Sequence, residues 1–143
     1  MRTFFAVAAL VLAACGPADL PIIAVENGWA RATGAGQDSG AIYLNIVNRG
    51  GGEDRLVEVA VPRARQATLH SSTMDGGVMR MRDLADGLAI PADTTIALAP
   101  GKTHIMLRGL TVPLRPGEQI PTTLQFAKAG TKDVMIRVEE ASR

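Results

Sequence analysis

From Pro21 onward the apolar residues recur in short runs separated by clusters of Gly, Pro, Asn and Asp. Ile42, Leu44 and Ile46 alternate with Tyr43, Asn45 and Val47 before Asn48-Arg49-Gly50-Gly51-Gly52 breaks the run, the period-two signature of a strand. Leu56, Val57, Val59 and Val61 form the next segment and Pro62 stops it. Thr68 to Ser71 leads toward Met74, and Asp75-Gly76-Gly77 is a turn signal ahead of Val78 to Arg82. Leu88 to Ile90, Thr94 to Leu98, Thr103 to Leu107, Thr122 to Phe126 and Val134 to Val138 supply five further strand candidates. No window of eleven or more residues sustains a helical period, and the 8 Pro are spread along the chain. The pattern predicts a single all-β domain over residues 21–143, a Greek-key sandwich or barrel.

The amino end obeys a different rule. Phe4 to Ala14 is an unbroken apolar run behind Met1-Arg2-Thr3, too short to span a bilayer, which takes about 20 residues, and without the polar face of a surface helix. Residues 1–14 therefore read as a secretory signal. Its end, Leu12-Ala13-Ala14-Cys15, resembles the lipobox of bacterial lipoproteins, in which the Cys becomes the lipid-modified first residue. That resemblance implies export and a membrane anchor through Cys15, with residues 15–20 as a short tether. A plain signal followed by a free Cys is the alternative.

Charge and composition narrow the function. There are 15 Lys and Arg against 14 Asp and Glu, and Arg2 leaves with the signal, so the remaining chain balances to zero and lacks the basic footprint of a nucleic-acid binder. A single Cys excludes an intrachain disulfide and any CxxC site. No G-x-S-x-G elbow appears, and Gly50-Gly51-Gly52 lacks the Lys and helix of a phosphate loop. Glu139-Glu140 reads as a solvated edge, so nothing here points to an enzyme. Methionine, at 6 residues, outnumbers the 5 aromatics.

Methionine and histidine together give the sharper signal. In His104-Ile105-Met106 strand alternation puts His104 and Met106 on one face and Ile105 and Leu107 on the other. Met79 and Met81 alternate likewise, and His70 lies just upstream. Two imidazoles with thioethers suit Cu(I), a soft ion that accepts neutral ligands, whereas zinc and calcium prefer thiolates, carboxylates or more imidazoles. Core packing of Met79, Met81 and Met135 around hydrogen-bonded structural histidines is the competing explanation.

The sequence also resembles the periplasmic copper chaperones called PCu(A)C, from about Trp29 to Val138. The likeness is carried by Gly28-Trp29-Ala30-Arg31-Ala32-Thr33, Gly40-Ala41-Ile42-Tyr43-Leu44, Asn48-Arg49-Gly50 and Gly76-Gly77-Val78-Met79-Arg80-Met81-Arg82. It continues through Ile90-Pro91-Ala92, Leu98-Ala99-Pro100-Gly101, His104-Ile105-Met106-Leu107 and Gly109-Leu110. The family's metal signature is a His, ten residues, a Met, about twenty-one residues, then His-x-Met. Here ten residues separate His70 from Met81, and twenty-two separate Met81 from His104, the extra one falling in what reads as a loop and hairpin around Pro91.

The resemblance implies a cupredoxin-like fold and one Cu(I) per chain, held by His70, Met81, His104 and Met106. It further implies a periplasmic chaperone that delivers copper to the copper centre of cytochrome c oxidase, with a Sco-type thiol protein as collaborator; a monomer is expected. A copper sequestration or tolerance protein would need the same ligands. A metal-free β-sandwich scaffold would instead keep His70 and His104 far apart.

Overall fold

The computed structural model describes residues 19–140; the expected signal segment 1–14 and the anchor Cys15 lie outside the described residues. Ten strands follow one another: β1 (Ile23–Arg31), β2 (Ser39–Asn48), β3 (Asp54–Ala60), β4 (Ala64–Asp75), β5 (Val78–Asp83), β6 (Leu88–Ile90), β7 (Thr94–Leu98), β8 (His104–Leu110), β9 (Gln119–Phe126) and β10 (Gly130–Glu139). No α-helix occurs among the described residues, in keeping with the missing helical period.

Hydrogen bonding links the strands in the order β5-β4-β8-β2-β1-β10-β9-β3-β6, with β7 added to β2. The branch is at β2, whose Ser39–Ile42 half pairs with β8 and whose Leu44–Asn48 half pairs with β7. All the pairings are antiparallel except β1 with β10. The inward side chains Ile42, Leu44, Ile46, Leu56, Ile105, Leu107, Ile120, Leu124, Phe126 and Ile136 join one continuous core. Each stabilises the fold by roughly 1.5–3 kcal/mol relative to an exposed position.

Two features depart from the sequence expectation. The first strand, β1, was hidden by Asn27-Gly28, which reads as a turn. Asn27 instead takes φ 53° inside a bulge that shifts the β1–β2 register between Glu26 and Trp29. A one-residue shift swaps the faces of a strand. Ile23 and Val25 point to the core, yet beyond the bulge it is Ala30 that is fully buried, while Trp29 is turned to the outer face opposite Tyr43. Gly28 lets Ile136 pack close, since a Cβ there would come within 2.5 Å of the Ile136 Cδ1 tip and turn it aside.

The second departure is at Pro91. β6 and β7 flank it, but they do not form the expected hairpin: β6 pairs with β3 and β7 with β2. Asn48 holds this crossing. Its buried amide accepts from Ile22 N (3.1 Å) and Gly50 N (3.0 Å) and donates to Gly52 O (2.8 Å) and Pro91 O (3.0 Å).

Candidate metal centre

β4 is the strand that assembles the histidine pair. It pairs with β8 on one side and β5 on the other, and the registers bring His70 directly opposite both His104 and Asp83. Thr68 is opposite Met106, and Ser72 is opposite Met81. Residues facing each other across antiparallel strands project from the same side of the sheet, so His70, Met81, Asp83, His104 and Met106 all lie on the outer face, away from Leu69, Ile105 and Leu107 in the core.

The two imidazoles adjoin edge to face, with ring centres 5.7 Å apart and planes at 65°. Two imidazoles on one ion, with metal–nitrogen bonds of about 2 Å, have ring centres about 5–6 Å apart. The separation expected of a metal-free scaffold is therefore not found. Met106 flanks His104 two residues along β8. Met81 lies one strand further out, and half of its surface (51%) is open to solvent. Met79, Met135 and Met74 are also exposed, at 52%, 58% and 65%, so none of these methionines is core filler.

Second-layer contacts fix which nitrogen of each ring can bind. His104 Nδ1 lies 2.9 Å from the Lys102 carbonyl. A carbonyl only accepts, so Nδ1 carries the proton and Nε2 keeps the lone pair. In His70 it is Nε2 that is engaged, 2.5 Å from Asp83 Oδ1 and 3.1 Å from Thr68 Oγ1. The carboxylate draws the proton to Nε2 and leaves the lone pair on Nδ1. That Nδ1 is buried and has no hydrogen-bond partner. An unmet buried acceptor costs about 1–3 kcal/mol, a cost that a metal ion would remove. The donor set thus fits a soft cation: two imidazoles, each with its other ring nitrogen engaged, on the same face of the sheet as thioethers.

Burial pushes the His70 imidazole below its ordinary value of 6.5, against the opposing pull of the Asp83 carboxylate, and His104 and Arg108 act in the same sense as burial. A neutral ring is the form that ligates. Behind His104, Tyr43 stands 6.4 Å away between ring centres, and Trp29 lies 4.5 Å from Tyr43. The β1 bulge therefore supplies an aromatic wall. Among the described residues no group of three or more His, Cys, Asp and Glu is gathered to hold a metal.

Asp83, Lys102 and Tyr43 were not singled out from the sequence. The signal for Asp83 was present. A two-residue turn at Gly76-Gly77 pairs Asp75 with Val78, and counting back along both strands reaches His70 and Asp83.

A family model described as "Putative lipoprotein LpqE-like" matches residues 23–138. The "Putative lipoprotein Lxx21020" of Leifsonia xyli subsp. xyli (strain CTCB07) is 34% identical over 120 residues, covering 84% of this chain and 71% of that protein. Among solved structures, the copper-bound PCuAC domain from PmoF2 superposes with a TM-score of 0.70 at 26% identity, over 82% of this chain and 92% of that one. The solution structure of CuI-DR1885 from Deinococcus radiodurans gives 0.67 at 30% identity, over 87% and 83%. The all-β architecture is the cupredoxin-like one of these domains.

Proposed function

The chain belongs to the LpqE-like lipoprotein family, and on that footing we propose that it is a copper chaperone, an extracytoplasmic carrier anchored to a membrane through Cys15. It holds one Cu(I) with His70 Nδ1, His104 Nε2 and the sulfurs of Met81 and Met106. The observation that carries this reading is the cross-strand histidine pair, ring centres 5.7 Å apart, with a buried and unpartnered Nδ1. Copper in the related PmoF2 and DR1885 structures supports the choice of ion.

Delivery rather than storage is favoured by the half-exposed Met81. An incoming ligand can attack the ion on the Met81 side and displace a weakly held thioether before the imidazoles let go. Burial holds the His70 ring toward its neutral, ligating form, so loading and release move no proton on it. The recipient in this reading is the copper centre of cytochrome c oxidase in the periplasm, with a Sco-type thiol protein as collaborator.

The test is a Cu(I) titration of the full chain against a chromophoric chelator under reducing conditions. One tightly held equivalent is expected, and it is lost in His104→Ala/Met106→Ala. Unchanged binding in that double variant overturns the site. Normal oxidase assembly in a low-copper strain lacking the gene overturns delivery.

A further inference from the structure

The β4–β5 hairpin carries more thioether than the proposed copper site uses. Met74 and Met79 face each other directly in the register, and Met81 follows Met79 two residues along β5. Three sulfurs therefore share one side of a two-stranded ribbon. All three residues are more than half exposed, at 65%, 52% and 51%. Methionine normally gains its stability by filling irregular apolar space, and these three gain little of it.

The hairpin is built to hold them in place. Gly76 and Gly77 have φ of 56° and 82°, the left-handed pair of a type I′ turn, and a Cβ on either would meet nothing, so conformation alone selects glycine here. The turn puts the Met74–Met79 pair next to the tip. Its charges are sorted by face: Arg80 Nε bonds Asp75 Oδ2 at 3.2 Å on the opposite side, and Arg82 lies on that side too. On the methionine side the charged group is the Asp83 carboxylate, at the inner end.

We propose that Met74, Met79 and Met81 form a capture site for a soft monovalent cation, Cu(I), sharing Met81 with the histidine pair. The identity of the ion rests on the copper reading above. Directly opposed Cβ atoms lie about 5 Å apart and those two residues along a strand about 7 Å. Three flexible side chains can close that triangle around an ion at metal–sulfur distances of about 2.3 Å. Passage inward is ligand exchange. The bonds to Met74 and Met79 sulfur break as bonds to His70 Nδ1, His104 Nε2 and Met106 sulfur form, Met81 sulfur stays bound, and copper remains Cu(I) throughout.

The experiment follows the methionine methyl resonances of the full chain during titration with Ag(I), a redox-inert stand-in, and then with Cu(I) under reducing conditions. In the unaltered chain the Met74 and Met79 methyls are expected to shift in a second, weaker phase. In His70→Ala/His104→Ala they shift together with Met81 from the first addition. Met74→Leu/Met79→Leu keeps the apolar exposed surface, loses the second phase, and changes the first-phase affinity by less than about twofold, because neither sulfur is a ligand of the ion held by the histidine pair. Methyls of Met74 and Met79 that stay unmoved by either ion overturn the capture site while leaving the histidine site standing. Shifts of the three hairpin methyls with unperturbed His70 and His104 rings would support the capture site and sink the copper reading of the pair. Movement only on adding membrane vesicles or a partner protein would make the hairpin a docking surface and overturn the proposal.

Discussion

Removing the Asp83 carboxylate is the most direct probe of how the histidine pair is tuned. Asp83 Oδ1 accepts from His70 Nε2 at 2.5 Å, with the His70 side chain 6% exposed and that of Asp83 74% exposed. A charge-assisted hydrogen bond of this kind contributes about 1.5–3 kcal/mol when shielded. Solvent around the carboxylate screens much of that, leaving about 1 kcal/mol. Partners of metal-bound histidines typically change affinity by about 10- to 100-fold, and the exposure places Asp83→Ala just below that range, at about fivefold weaker Cu(I) binding. Asp83→Asn keeps an acceptor and should lose only about threefold, the fraction set by the lost charge. Chelator competition measures both variants, and nitrogen NMR of the His70 ring reports the tautomer independently. Asp83→Ala should release the Nε2 preference while Asp83→Asn retains it. Equal affinity in all three proteins, or a His70 ring that carries its proton on Nδ1 in the unaltered chain, would refute the orienting role.

Two further outcomes follow from other parts of the fold. The His70 imidazole is held below its ordinary value by burial, so on acidification the unfolded chain takes up the proton first. The stabilising contribution is complete above pH about 6.5 and is lost as the pH falls through the lowered native value. The metal-free protein should therefore show a Tm that falls below pH about 6.5, and His70→Gln should flatten that fall; identical slopes in calorimetry of the two proteins would contradict it. Asn48→Ala strips partners from Ile22 N, Gly50 N, Gly52 O and Pro91 O and should cost about 3 kcal/mol in denaturant unfolding, since several of these groups are shielded from water; a loss under about 1 kcal/mol would show that water replaces the amide.

Much of the strand layout was legible because alternation and turn residues agree along most of the chain. Ile42, Leu44 and Ile46 read correctly as one buried face, and Asp75-Gly76-Gly77 read correctly as a hairpin turn. The shared face of His104 and Met106 followed from period two alone. What alternation could not reveal was a break in its own period. Carried through Ile23 and Val25, it would send Trp29 into the core, and only the left-handed Asn27 reverses the faces. The crossing at Pro91 was equally hidden, because a proline between two short strands looks the same whether they pair together or part.

The histidine pair shows why spacing succeeds where long-range pairing is unknown. The ten residues between His70 and Met81 span a hairpin, whose register is set locally by the turn, so that distance is fixed by a few glycine dihedrals. The twenty-two residues from Met81 to His104 cross two strands that go to different partners, and nothing local sets that length. Position there is imposed from outside, by β8 pairing with β4 over Ala64 to His70 and with β2 over Ser39 to Ile42. One residue more or less between Met81 and His104 can be taken up in the connections without moving His104 along β4, whereas one residue more or less in the hairpin would turn Met81 to the opposite face. The variable spacing and the strict one therefore have the same origin, namely which of the two segments carries its own register.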